Sequence, residues 1–144
     1  MFLWRISNFA NLEGLGGLKF PGRWHSKGHP IIYTSEHPAG ALSEMLVHLD
    51  RTDFPETFQL LKIEVPNNIV AKVVQTRGKQ LQSKSKYTRS IGDRWLKERR
   101  HLLLRVPSAI VPDAYNVLIN PLHADARRLK IVEVKQVPLD PRLV

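Results

Sequence analysis

Six short runs of branched and aromatic residues constrain this fold most: FLWRI (2–6), IIYT (31–34), FQLLKIEVP (58–66), HLLLRV (101–106), YNVLINP (115–121) and LKIVEVKQV (129–137). Short apolar runs of this kind, closed by proline or polar residues, read as strands. In the third run Leu61, Ile63 and Val65 alternate onto one side, the period of a half-buried strand. IVAKVVQ (69–75) is a candidate seventh strand. Helical spacing occurs in only two places. One begins at Ser35-Glu36-His37-Pro38, with Ser35 as N-cap and proline in the first turn, and runs to about Asp50 on a stripe of Leu42, Met45, Leu46 and Leu49. The other is IGDRWLKER (91–99), with Ile91, Trp95 and Leu96 in step. No regular alternation of strand and helix demands a parallel sheet. The expectation is an α+β fold on an antiparallel sheet, one domain over residues 1–144.

The segments between are turns and loops. NLEGLGGLKFPG (11–22) is rich in glycine and ends in Pro-Gly. Residues 76–90 are polar, basic and without apolar periodicity, so they are expected to form a mobile loop. The tail PLDPRLV holds two prolines and is expected to be pinned irregular chain.

With hydrophobic residues at 42% and charged residues at 24%, the chain has enough apolar side chains for a core. No run approaches a bilayer span. MFLWRISNF lacks the basic and apolar regions of a secretion signal, and there is no cysteine. The expectation is a cytoplasmic protein with neither disulfides nor thiolate chemistry. The net charge of +9 is concentrated: residues 72–105 alone carry it, and the rest of the chain is neutral. Such a segment suits an acidic partner or stands as a solvated face.

Several chemistries are disfavoured by pattern. Six histidines are scattered, with no H-E-x-x-H, so no metal site is expected. GLGG (14–17) matches neither phosphate-binding glycine motif. Ser108 lies in V-P-S-A rather than in a nucleophile elbow. Glu44 points away from the Leu42–Leu46 stripe, on a face shared with Ala41 and His48. It is either a solvated helix residue or the acid of a site lying over that helix.

These residues combine. G-R-W-x-x-x-G-x-P-x-x-Y over 22–33 supplies Arg23 and Tyr33, and Glu44 follows eleven residues later. GDRWL (92–96), Ser108 in V-P-S-A, YNVLINPLH (115–123) and LDPRL (139–143) complete an ordered set. The set resembles the RES-domain family, named for its arginine, glutamate and serine, the toxins of bacterial Xre–RES toxin–antitoxin modules. The resemblance runs from WRIS to DPRL and is weakest over about 66–88. It departs at His25, where asparagine is expected in many members.

The resemblance implies the ADP-ribosyltransferase fold and consumption of NAD+ by hydrolysis or phosphorolysis. NAD+ is then the substrate, phosphate a possible co-substrate, and no further cofactor is implied. The implied catalytic set is Arg23, Tyr33, Glu44 and Ser108, with Arg5 and His25 joining Arg23 and Tyr33 in binding NAD+. An arginine fork suits a diphosphate, and a tyrosine ring suits nicotinamide. A fixed carboxylate suits the positive charge that grows on the ribose. Ser108 would bond the nicotinamide ribose or position Glu44. Trp24, Asn120 and Asp140 read as structural: a core anchor, a turn amide and a charge fixing the tail. The implied partner is an Xre-type antitoxin that occludes the NAD+ site in an oligomeric complex, with DNA reached only through it. Two rivals remain: transfer of ADP-ribose to a protein, and a non-enzymatic basic module that binds nucleic acid.

Overall fold

The computed structural model describes residues 1–76 and 86–144. Seven strands form one sheet: β1 (Phe2–Ile6), β2 (Ile32–Ser35), β3 (Thr57–Glu64), β4 (Lys72–Val73), β5 (Leu103–Pro107), β6 (Tyr115–Ile119) and β7 (Lys130–Pro138). Their order is β4-β5-β6-β2-β1-β3-β7, and only the β4–β5 pair is parallel. Among the described residues three α-helices accompany the sheet: α1 (Gly16–Lys19), α2 (Pro38–His48) and α3 (Lys86–Glu98). The α+β class on an antiparallel sheet, expected from the strand pattern, is what the chain adopts.

The middle of the sheet positions the site. β1 pairs with β3 over five register positions and β2 with β6 over four, but β1 and β2 meet at one, Trp4 with Ser35. Leu3, Ile32, Ile63, Leu103, Val117 and Ile119 weld the two halves into one buried cluster. Strand alternation sends Leu104, Val106 and Leu118 the other way. There they pack with Trp24, Trp95 and Leu96 in a second cluster, under α3.

Several boundaries differ from the sequence reading. The expected strand 69–75 contracts to Lys72–Val73: Val70 and Val73 are exposed, Ile69 and Ala71 pack at the edge of the first cluster, and Val74 is buried in the second. Ser35 does not cap α2. It completes β2 and is buried, while His37 takes the N-cap position ahead of Pro38. The stripe of Leu42, Met45, Leu46 and Leu49 is not the buried face of α2; Ala41 is the one fully buried residue there. Helix α3 starts at Lys86, five residues before the expected start. Its buried positions are Thr88, Gly92, Trp95 and Leu96, a helical face whose first half carries no apolar signal. Arg99 ends it by taking φ +53°, the left-handed conformation that terminates helices. The mobile loop expected over 76–90 falls largely on residues 77–85, outside the described residues.

The residues read as structural take those places. Trp24 is buried in the second cluster. Asn120 donates to the Leu96 carbonyl and accepts from the Leu122 amide. Asp140 accepts from the Arg142 amide and pairs with its guanidinium, holding the last turn. Among the described residues no helix is long and apolar enough to cross a membrane.

Candidate active site

A cleft of about 600 Å3 opens beside the β1–β2 junction. That is the size of a small-molecule site. Its walls are the end of β1, the turn 20–25, the faces of β2 and β6, α2, the end of β5 with the residues after it, and Arg89 of α3.

The turn carries Arg23. Tyr33 follows in β2, and its hydroxyl is fully used within the wall. Trp24 N–H donates to it at 3.3 Å, and it lies 2.7 Å from His25 Nδ1. The other ring nitrogen, Nε2, lies 3.0 Å from the Phe20 carbonyl, which can only accept. The consistent arrangement is therefore Tyr33 O–H donating to Nδ1 and Nε2–H donating to Phe20. Burial lowers the His25 pKa, which keeps the ring neutral, and burial raises that of Tyr33, which keeps its proton. His25 is only 2% exposed, and both of its ring nitrogens are engaged within the wall. The turn comes so close that a Cβ on Gly22 would lie 2.3 Å from the Tyr33 hydroxyl oxygen.

Helix α3 holds the turn from behind. Thr88 donates to the Arg23 carbonyl at 2.6 Å and Arg89 Nε to the Gly22 carbonyl at 3.0 Å. Asp93 accepts from both the amide and the hydroxyl of Ser26, at 2.8 and 2.6 Å. At Gly92 the contact is tightest: a Cβ there would lie 1.6 Å from the Trp24 carbonyl oxygen. The GDRW motif thus acts as a clamp on the Arg23 turn.

The opposite wall carries the carboxylate. Ala41, Glu44, Met45 and His48 of α2 line the cleft at helical spacing, so the second face of that helix is the site face. Glu44 Oε1 accepts from Asn116 Nδ2 at 2.8 Å, and Asn116 Oδ1 accepts from Ser35 Oγ at 3.0 Å. Arg5, Arg23 and Arg89 also line the cleft, so three guanidiniums stand against one carboxylate. Among the described residues Arg5 has no hydrogen-bond or ion-pair partner, and burial lowers its pKa.

The fold therefore gathers Arg5, Arg23, His25, Tyr33 and Glu44 around one cleft. Ser108 stands apart. Its neighbours Pro107, Ala109 and Ile110 line the cleft, but its own hydroxyl accepts from the amides of Ile110 and Val111. Arg89, Ser35 and Asn116 were not legible as site residues. Arg89 sits in the stretch without apolar periodicity. Ser35 and Asn116 become neighbours only through the β2–β6 register. Their one sequence signal is alternation, which puts Ser35 on the side of Tyr33 and Asn116 on the side of Leu118.

A family model described as RES domain matches residues 2–141. A protein named Toxin Res from Pseudomonas putida is 43% identical over 145 residues, covering 99% of each chain. One named Prs ADP-ribosylating toxin, from a Sphingobium species, is 35% identical over 153 residues, covering 98% of this chain and 95% of its own. The crystal structure of the M. tuberculosis MbcT–MbcA toxin–antitoxin complex contains a chain of the same fold, with a TM-score of 0.77 at 15% identity. That match covers 99% of this chain and 85% of the other.

Proposed function

The chain belongs to the RES-domain family, and on that premise we propose that it is the toxin of a toxin–antitoxin pair and cleaves NAD+ between nicotinamide and ribose. One observation carries the proposal: an oriented carboxylate, Glu44, shares a cleft with Arg5, Arg23 and Arg89. NAD+ has the matching charges, a diphosphate at its centre and a cationic nicotinamide at one end. The arginines bind the diphosphate. The nicotinamide packs on the Tyr33 ring, whose hydroxyl is anchored in the wall.

In the reaction the bond from the nicotinamide nitrogen to ribose C1′ breaks, and nicotinamide leaves with the electron pair. The ribose becomes oxocarbenium-like, and Glu44 stabilises that charge more than it stabilises the substrate. Water or phosphate then bonds to C1′ and loses a proton, giving ADP-ribose or its 1″-phosphate. Ser108, whose neighbours Pro107, Ala109 and Ile110 line the cleft, is our candidate for the ribose side of the site. The partner we propose is an Xre-type antitoxin that occludes the cleft. The test is purified protein with NAD+, following nicotinamide release with and without phosphate. Absence of release under both conditions would refute the reading.

A second reading, transfer of ADP-ribose to a protein, is favoured by the name of the Sphingobium relative. It shares the first step and differs in the acceptor. Mass spectrometry separates the two: free ADP-ribose or its phosphate in one case, a protein gaining one ADP-ribose in the other.

A further inference from the structure

We infer that Asn116 is the positioning residue for Glu44, with Ser35 fixing the amide of Asn116. The inference rests on the NAD+-cleavage reading and adds to it a device that sets where the carboxylate points. Ser35 and Asn116 are opposite each other in the β2–β6 register, so strand geometry alone puts their side chains side by side. The amide can serve this pair in only one orientation. A carboxylate accepts, so Nδ2 must face Glu44, 2.8 Å away. The Ser35 hydroxyl, 3.0 Å from Oδ1, then donates to it.

The relay is held at its far end. Ser35 is 3% exposed, and a Cβ on Gly40 would lie 3.2 Å from Ser35 Cβ and 3.3 Å from Oγ. The first turn of α2 is therefore pressed onto the serine, and the same helix, one turn later, carries Glu44. Two central strands and one helix converge on a single carboxylate. With Oε1 taken by Asn116, Oε2 is the oxygen left for the ribose.

Glutamate has three rotatable side-chain bonds, and a swing of about 1 Å at the carboxylate is enough to lose on the order of 100-fold in rate. The experiment is steady-state nicotinamide release by wild type, Glu44→Gln, Asn116→Ala, Asn116→Asp and Ser35→Ala, each checked for folding by thermal melting. Asn116→Ala is expected to lower kcat by about 10- to 100-fold with KM within about twofold, and Ser35→Ala to do the same more weakly. Asn116→Asp sets a second carboxylate against Glu44, so the acid limb of its rate profile should move to higher pH. A structural role alone would not move that limb.

The outcomes are separable. If wild type releases no nicotinamide, or Glu44→Gln matches it, the reaction reading fails. If Glu44→Gln is dead while folded Asn116→Ala keeps the wild-type kcat, or raises KM instead, the positioning inference fails alone. An unshifted acid limb in active Asn116→Asp overturns it as well.

Discussion

The Tyr33 hydroxyl lies 2.7 Å from His25 Nδ1, which ties the one aromatic face expected to meet nicotinamide to a buried, neutral imidazole. The pair has a pH consequence with a definite sign. Burial places the folded pKa of His25 below its ordinary value of 6.5. The stability tied to a neutral His25 is therefore complete above about pH 6.5 and is lost as pH falls through the folded value. Urea unfolding between about pH 8 and 5 should show that decline in wild type and a smaller one in His25→Phe. Equal slopes would show that His25 does not carry the effect.

Glu44→Gln keeps the shape and an oxygen that can accept from Asn116, and removes the charge. If the carboxylate stabilises the growing charge on ribose, the barrier should rise by about 2.7–4 kcal/mol, roughly 100- to 1,000-fold in kcat. The thermal midpoint should stay near that of wild type, because Glu44 is half-buried at a cleft wall. Nicotinamide release at the wild-type rate would remove Glu44 from the mechanism.

How much of this was legible in the sequence follows from the kind of signal each feature gives. Strand existence was readable because apolar alternation is local. The Arg23–Tyr33–Glu44 set was readable because it lies on one turn–strand–helix passage with fixed spacing. The extent of α3 was hidden because its first buried positions, Thr88 and Gly92, pack against a carbonyl and a backbone rather than an apolar core. The Ser35–Asn116–Glu44 relay was hidden because strand pairing across 81 residues leaves no trace in one sequence. Ser108 shows the converse: a motif position can be read correctly in order while its hydroxyl faces its own turn.

Gly92→Ala tests the clamp. A Cβ 1.6 Å from the Trp24 carbonyl cannot be accommodated without moving α3 or the turn, and the contact is with backbone. The expected cost is about 1–3 kcal/mol or more in unfolding free energy, seen as a lower denaturant midpoint. Asp93→Asn, which weakens the two bonds to Ser26 without a clash, should lose less stability yet still raise KM for NAD+. A normal KM in Asp93→Asn would show that the Arg23 turn keeps its place without the aspartate.

Ser108→Ala separates a turn role from a substrate role. Its hydroxyl accepts from two exposed amides, at 3.1 and 3.2 Å, so losing it should cost about 0.5–1.5 kcal/mol of stability. If that is its whole work, nicotinamide release should fall by no more than a few-fold. A fall as deep as that of Glu44→Gln would instead place Ser108 on the ribose.

Arg5 sets stability against function. Its guanidinium is partly desolvated and has no protein acceptor among the described residues, so in the ligand-free protein it carries an uncompensated desolvation cost. Arg5→Met keeps much of the stem and removes the charge. Ligand-free Arg5→Met should melt at a higher temperature than wild type. Its KM for NAD+ should rise about tenfold or more, since a hydrogen bond to a charged group is worth about 1.5–3 kcal/mol. NAD+ should then raise the melting temperature of wild type more than that of the variant. An unchanged KM would mean that the diphosphate lies elsewhere, on Arg23 and Arg89, and that Arg5 serves another part of the cleft.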